Sequence, residues 1–249
     1  MSINRDNLFR ICEQHTCGIP GVVVPEPYIP HFPEPMDQWN GTLVVAEAQN
    51  LGATEAPYRM LLQKDSAAGR RERLWNRLNQ GEFYRKGSGI GIGPWDDGTM
   101  KLTVAVLRGA DAVHQVAVSN AVVWSASAGG ATENLDKRML KASADFWRDL
   151  LDFLRPNDIL AFGSTARTVM RRTGFPPERI IELPGPFRRR LQMGFKMDTG
   201  RLLVAFPEVA AALTALRSSV CVANEALAVH CACASLSLST RGGKLGRTK

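Results

Sequence analysis

What most limits the fold of this chain is an alternation of short apolar runs with longer stretches of helical periodicity. Thr42–Ala46 (TLVVA), His114–Val123 (HQVAVSNAVV), Asp158–Phe162 (DILAF) and Arg179–Leu183 (RIIEL) are largely apolar along their length instead of every second residue. Strands covered on both faces have this composition. Between them, Asp136–Leu154 places Leu140, Trp147, Leu150, Leu151 and Leu154 on one helical face and stops before Pro156. Thr165–Arg172 reads as a second helix, closed by Gly174. Parallel strands need a crossover between them, and a helix supplies it. The expected fold is therefore α/β, three layers (α/β/α) around a central parallel four-stranded sheet.

The remaining segments divide the chain. Pro20, Pro25, Pro27, Pro30, Pro33 and Pro35 fall within the first 40 residues, which predicts a short N-terminal helix followed by an extended Pro-rich arm over 1–40. The α/β domain is expected over 41–220. Residues 221–249 are rich in Ala, Ser and Cys and end with Arg241, Lys244, Arg247 and Lys249, so a basic, flexible tail is expected there. Helical spacing recurs over 70–78 and a glycine-rich loop over 87–98, while Met100–Leu107 suits a strand or a crossover helix equally well. No apolar run approaches the roughly 20 residues of a membrane span. The polar start MSINRDNLFRICEQH lacks a secretory core, so a cytoplasmic monomer is the expectation.

Five cysteines, an odd number, point to reduced thiols. Cys12 and Cys17 are separated by four residues and Cys231 and Cys233 by one, neither a zinc-binding spacing, so no metal or other cofactor is expected. The net charge of +7 favours a polyanionic partner.

In a parallel sheet the ligand site forms beyond the carboxyl ends of the strands. The residues there are AEAQNLG at 46–52, SNAVVW at 119–124, RPNDILAFGSTA at 155–166 and LPGPFRRR at 183–190. In this order they resemble the motifs of the uracil-DNA glycosylase superfamily: an acidic turn after strand one, a T-N-x-V-like segment after strand two, a P-x-x-I-x-x-x-G-x-x-A segment matched by Pro156–Ala166, and a DNA-wedging loop after the last strand. The resemblance covers roughly residues 40 to 190 and implies a uracil-DNA glycosylase-like fold that hydrolyses the N-glycosidic bond of a deaminated or damaged base, of uracil or hypoxanthine type, in DNA. Gly185 stands where the superfamily has the histidine that stabilises the departing base. Trp124 and Ser143 stand in the region where iron–sulfur members carry cysteines, so no cluster is implied.

Carried onto this chain, the resemblance assigns Glu47 to stabilising the sugar cation or orienting water. It assigns Asn120 to reading the base edge, with Ala48, Gln49, Asn50 and Tyr58 around the base and Trp95 as a competitor for the stacking role. Phe187 with Arg188, Arg189 and Arg190 combines an apolar tip with three cations, as intercalation beside phosphates requires. Each has a plainer competitor: Glu47 as a helix cap, Asp96 and Asp97 as ordinary turn residues. A non-catalytic nucleic-acid-binding module and a hydrolase of free nucleosides are the rival functions.

Overall fold

The computed structural model describes residues 3–16, 27, 29–50, 66, 69, 95, 97–126, 135, 137–185 and 198–242. They belong to two compact units, one within 1–93 and 115–182, the other within 94–114 and 183–249. The span expected as one domain over 41–220 contributes to both: the connection between the first two strands lies in the second unit, and the chain re-enters that unit at the end of the last strand.

The first unit contains β1 (Thr42–Asn50), β2 (Ala117–Ala126), β3 (Asp158–Phe162) and β4 (Ile180–Leu183). They form the expected four-stranded parallel sheet of an α/β/α fold, in the order β2-β1-β3-β4. β1 is central. Leu43, Val44 and Val45 are fully buried, which explains why the sequence shows a continuous apolar run instead of alternation. β2 starts later than expected because Asp111–His114 winds into a 3-10 turn.

The helices of this unit are α1 (Arg5–Gln14), α3 (Lys137–Leu154) and α4 (Gly163–Arg171), α2 lying in the second unit. Asn4 caps α1, its side chain accepting from the Asn7 N–H at 2.9 Å. Leu8 and Cys12, one turn apart, are buried, and α1 packs on α3. α3 packs on β2 and α4, and α4 on β1 and β2. Arg155 turns the chain after α3 with φ 49, and Pro156 prevents continuation.

The arm is also bound to the sheet. His31 and Val118 exchange backbone hydrogen bonds at 2.8 and 2.7 Å, an antiparallel bridge along the outer side of β2, and this covers an edge that would otherwise be open to pairing. Phe32 is buried edge-on against Trp39, 5.4 Å between centroids. At the amino end of the sheet, the Asn157 N–H donates to the Gly41 carbonyl at 2.8 Å and its side chain to the Asn40 carbonyl at 3.1 Å.

The second unit contains α2 (Thr99–Arg108), α5 (Thr199–Ala205), α6 (Pro207–Arg217) and α7 (Glu225–Gly242). The ambiguous segment 100–107 is thus helical. The Asp97 carboxylate accepts from the Thr99 N–H at 2.8 Å to start it, and Gly98 turns at φ 82 with the Cys221 carbonyl where a Cβ would otherwise sit. The flexible tail expected from 221 is corrected over 225–242 by α7, whose residues Leu227 to Cys233 are all buried. A helix covered on every side needs no amphipathic pattern, and small Ala, Ser and Cys side chains let neighbours approach. Arg217, ending α6, binds Glu225, opening α7, through two bonds of 2.8 and 2.5 Å. Among the described residues no single helix is long and apolar enough to cross a membrane.

Two predictions follow from this packing. Trp147 is fully buried and its indole N–H donates to the Ala121 carbonyl of β2 at 2.9 Å; Trp147→Phe leaves that carbonyl unpaired and is expected to lower unfolding free energy by about 1–3 kcal/mol in urea titration, with an unchanged m-value. Burial pushes the Cys231 thiol up to about 12 and the Cys233 thiol up to about 11. Both stay protonated at neutral pH, so alkylation at pH 8 followed by mass mapping should mark exposed Cys221 and spare Cys231 and Cys233. Their contribution to stability is complete below the ordinary thiol range and is lost as pH climbs through 11 to 12.

Candidate active site at the carboxyl end of the sheet

Strand order β2-β1-β3-β4 sends the chain from β1 toward β2 on one side and from β3 toward β4 on the other. The connections diverge between β1 and β3, the position at which open parallel sheets take their ligands, beyond the carboxyl ends of the strands. β3 pairs with β1 from Thr42↔Asp158 to Val45↔Ala161, so β3 ends at Phe162 level with Ala46, and Glu47 emerges opposite the first residues of α4.

The Glu47 side chain lies in the N-terminus of that helix. Its Oε1 accepts the Ser164 N–H at 2.9 Å, the Ser164 hydroxyl at 3.3 Å and the Thr165 N–H at 3.5 Å. The first amides of a helix have no intrahelical acceptor and carry its positive end, so a carboxylate there is stabilised both as acceptor and as charge. Gly163 makes the approach possible. Its φ is +90, and a Cβ would stand 2.3 Å from Oε1, 2.5 Å from Cδ and 2.6 Å from Cγ of Glu47. Gly163 is the glycine of the Pro156–Ala166 segment, and Ala166 of that segment is fully buried. Glu47 thus caps a helix, though not the next one in sequence: it spans from β1 to the helix after β3.

A second layer of charge backs the cap. The Arg167 side chain donates from Nε to the Gly163 carbonyl at 3.2 Å and approaches Glu182 of β4 at 3.9 Å. Glu182 in turn receives Arg171 through bonds of 2.5 and 2.8 Å. Gly163, Ser164, Arg167 and Glu182 were not anticipated as site residues. The glycine alone had a sequence signal, from its place in the motif; the others are ordinary in isolation, Ser164 reaching Glu47 through the register of β1 with β3, Arg167 reaching Gly163 within α4, and Glu182 joining from β4.

Asn120 is buried within β2, which continues to Ala126, so it lies inside the strand and not after it. It pairs with Ala46. Side chains alternate along a strand, so Asn120 shares the Ala46 face, and Glu47 projects from the opposite face, on which α4 packs. The two assigned catalytic residues therefore stand on neighbouring strands but do not converge on one face. Ala48, Gln49 and Asn50 prolong the β1 backbone, which replaces the expected turn at 46–50 with strand; their side chains, with Tyr58 and with Phe187, Arg188, Arg189 and Arg190, lie outside the described residues. Trp95 is buried, with the Lys101 ammonium 5.4 Å over its ring, so one face of the competing aromatic is already covered. Asp97 is a cap, as its turn chemistry suggested. Gly185 is buried just beyond β4. Among the described residues no three His, Cys, Asp or Glu are grouped to hold a metal ion.

The interlock of Glu47 with Gly163 makes a double-mutant prediction. Gly163→Ala forces a Cβ into the carboxylate at a positive φ and is expected to cost about 2 kcal/mol or more, while Glu47→Ala removes the cap at about 1 kcal/mol. Together the two should cost less than their sum, because the clash disappears with the carboxylate; strict additivity in denaturant titrations would deny the contact.

No family model, curated protein or solved structure matches this chain.

Proposed function

We propose that the chain is a DNA glycosylase-like hydrolase that removes a deaminated or damaged base, of uracil or hypoxanthine type, with Glu47 as its catalytic carboxylate. The reaction breaks the bond between the sugar C1′ and the base nitrogen. Water supplies hydroxide to C1′ and a proton to the base, and positive charge builds on the sugar in between. A carboxylate held near C1′ stabilises that charge or orients the water.

The observation that carries the reading is the Glu47 carboxylate fixed on β1 beside the carboxyl end of β3. Its three hydrogen bonds converge on Oε1, and among the described residues Oε2 receives none. One oxygen anchored and the other directed away from the anchor is how a rigid scaffold presents a charge to a ligand. The motif order, the Gly163 match and the net charge of +7 support the same reading.

One observation favours the rival reading of a non-catalytic nucleic-acid-binding module: the Glu47 contacts are those of a helix cap, a sufficient structural reason for the residue. The substitution Glu47→Gln separates the two, since the amide oxygen can still accept the Ser164 N–H while the charge is gone. With end-labelled single-stranded and duplex oligonucleotides carrying uracil, hypoxanthine or xanthine, alkali-labile sites are expected for the wild type. The single-turnover rate should fall about 100-fold or more in Glu47→Gln, with the melting temperature lowered only by the lost charge at the helix start and the protein still folded at the assay temperature. Salt-sensitive DNA binding without base release in either protein supports the module instead.

A further inference from the structure

The Gly163 carbonyl and the Ser164 N–H belong to one peptide group, and the two ends of that group carry opposite charges. The Arg167 guanidinium donates from Nε to the carbonyl at 3.2 Å, and the Glu47 carboxylate accepts from the N–H at 2.9 Å. We infer that Arg167 is a positioning residue for Glu47, acting through the 163–164 peptide, with Glu182 holding Arg167 in place from β4. The catalytic half of this inference rests on the reading of Glu47 proposed above; the coupling itself does not.

The physical argument is cooperativity. A cation on a carbonyl oxygen draws electron density through the amide and makes its N–H a stronger donor, and hydrogen bonds in a chain reinforce one another where water is partly excluded. Arg167 is about one-third exposed at 32%, and Glu182 at 27%, so both are partly shielded. Gly163 holds the peptide at φ +90, an orientation that no intrahelical bond on its N-terminal side enforces, and a side-chain clamp on the carbonyl restricts its rotation. Arg171, on the next turn, is a natural control: it binds Glu182 through two bonds, is 65% exposed, and has no recorded bond to the 163–164 peptide.

The test compares Arg167→Met, Arg167→Lys and Arg171→Met with the wild type, using the Ser164 amide proton in nitrogen-15 correlated NMR spectra and the single-turnover rate on the oligonucleotide cleaved best. The Ser164 proton is expected downfield in the wild type, as befits an N–H on a carboxylate. It should move upfield in Arg167→Met, move less in Arg167→Lys and stay in place in Arg171→Met. The single-turnover rate at saturating protein should fall several-fold in Arg167→Met, while the half-saturating protein concentration should change no more than in Arg171→Met, which removes the same charge.

A Ser164 resonance that does not move in Arg167→Met overturns the coupling whatever the activity. A resonance that moves while the rate stays constant overturns the positioning role. If no variant and no wild-type protein releases a base, the glycosylase reading fails, and the amide shift still decides whether Arg167 acts on the peptide. Should Arg167→Met fail to fold, the Arg167→Lys spectrum carries the same comparison.

Discussion

The Glu47 carboxylate inside the N-terminus of α4 meets two demands with one group. The helix start must find acceptors for amides that its own backbone leaves unpaired, and a charged side chain at a strand end must be compensated. Each answers the other, across 117 residues of sequence. The register of β3 on β1 is what aligns them, and the missing side chain of Gly163 is what lets them touch. Shift the pairing by one residue and Glu47 leaves the α4 face altogether. The contact therefore depends on correct strand register and in turn favours it, which is the kind of agreement between levels that marks a well-specified fold.

The same contact limits what can approach the start of α4. The positive end of α4 is already matched by an internal anion, so a phosphate approaching that helix start would compete with Glu47 and meet its charge. A neutral or cation-developing group faces no such repulsion. This agrees better with a sugar that gains positive charge than with a nucleotide docked by its phosphate. Phosphate contacts in a nucleic-acid complex would then fall to side chains away from the α4 start.

How much of this was legible beforehand differs by element. The four strands and the helix 137–154 were, because continuous apolar runs and a one-sided apolar stripe leave a strong periodic trace. The helix 99–108 was not, since Thr, Val and Leu serve strand and helix alike, and the decision falls to a local cap at Asp97. The helix 225–242 left no trace at all: with Leu227 to Cys233 all covered, its Ala, Ser and Cys residues look the same as a low-complexity tail. The second compact unit escaped because it joins residues from two distant stretches. At the site, Glu47 and Gly163 could be singled out by motif position. Ser164, Arg167 and Glu182 could not, because their meaning comes from the peptide they share. The opposite facing of Asn120 follows from register, which a single sequence does not carry.

The two ends of the sheet are held by different chemistry, and the difference has a physical rationale. At the amino end the Asn40 carbonyl accepts from the Asn157 side chain, the Thr42 N–H donates to Asn40 Oδ1 at 2.9 Å and the Trp39 indole donates to the Thr42 carbonyl at 2.8 Å. Apart from Arg179, which donates to the Asn157 carbonyl at 2.6 Å, these are neutral partners saturating one another. Such bonds fix geometry and leave little unspent capacity. At the carboxyl end, Glu47, Arg167, Glu182 and Arg171 form a chain of alternating charge that includes a backbone peptide. Charges are costly to confine and are weak contributors to stability when partly exposed, so a fold built for stability alone would have little use for them there. Placed where the connections diverge, they set up an oriented field at the position where open parallel sheets take a ligand.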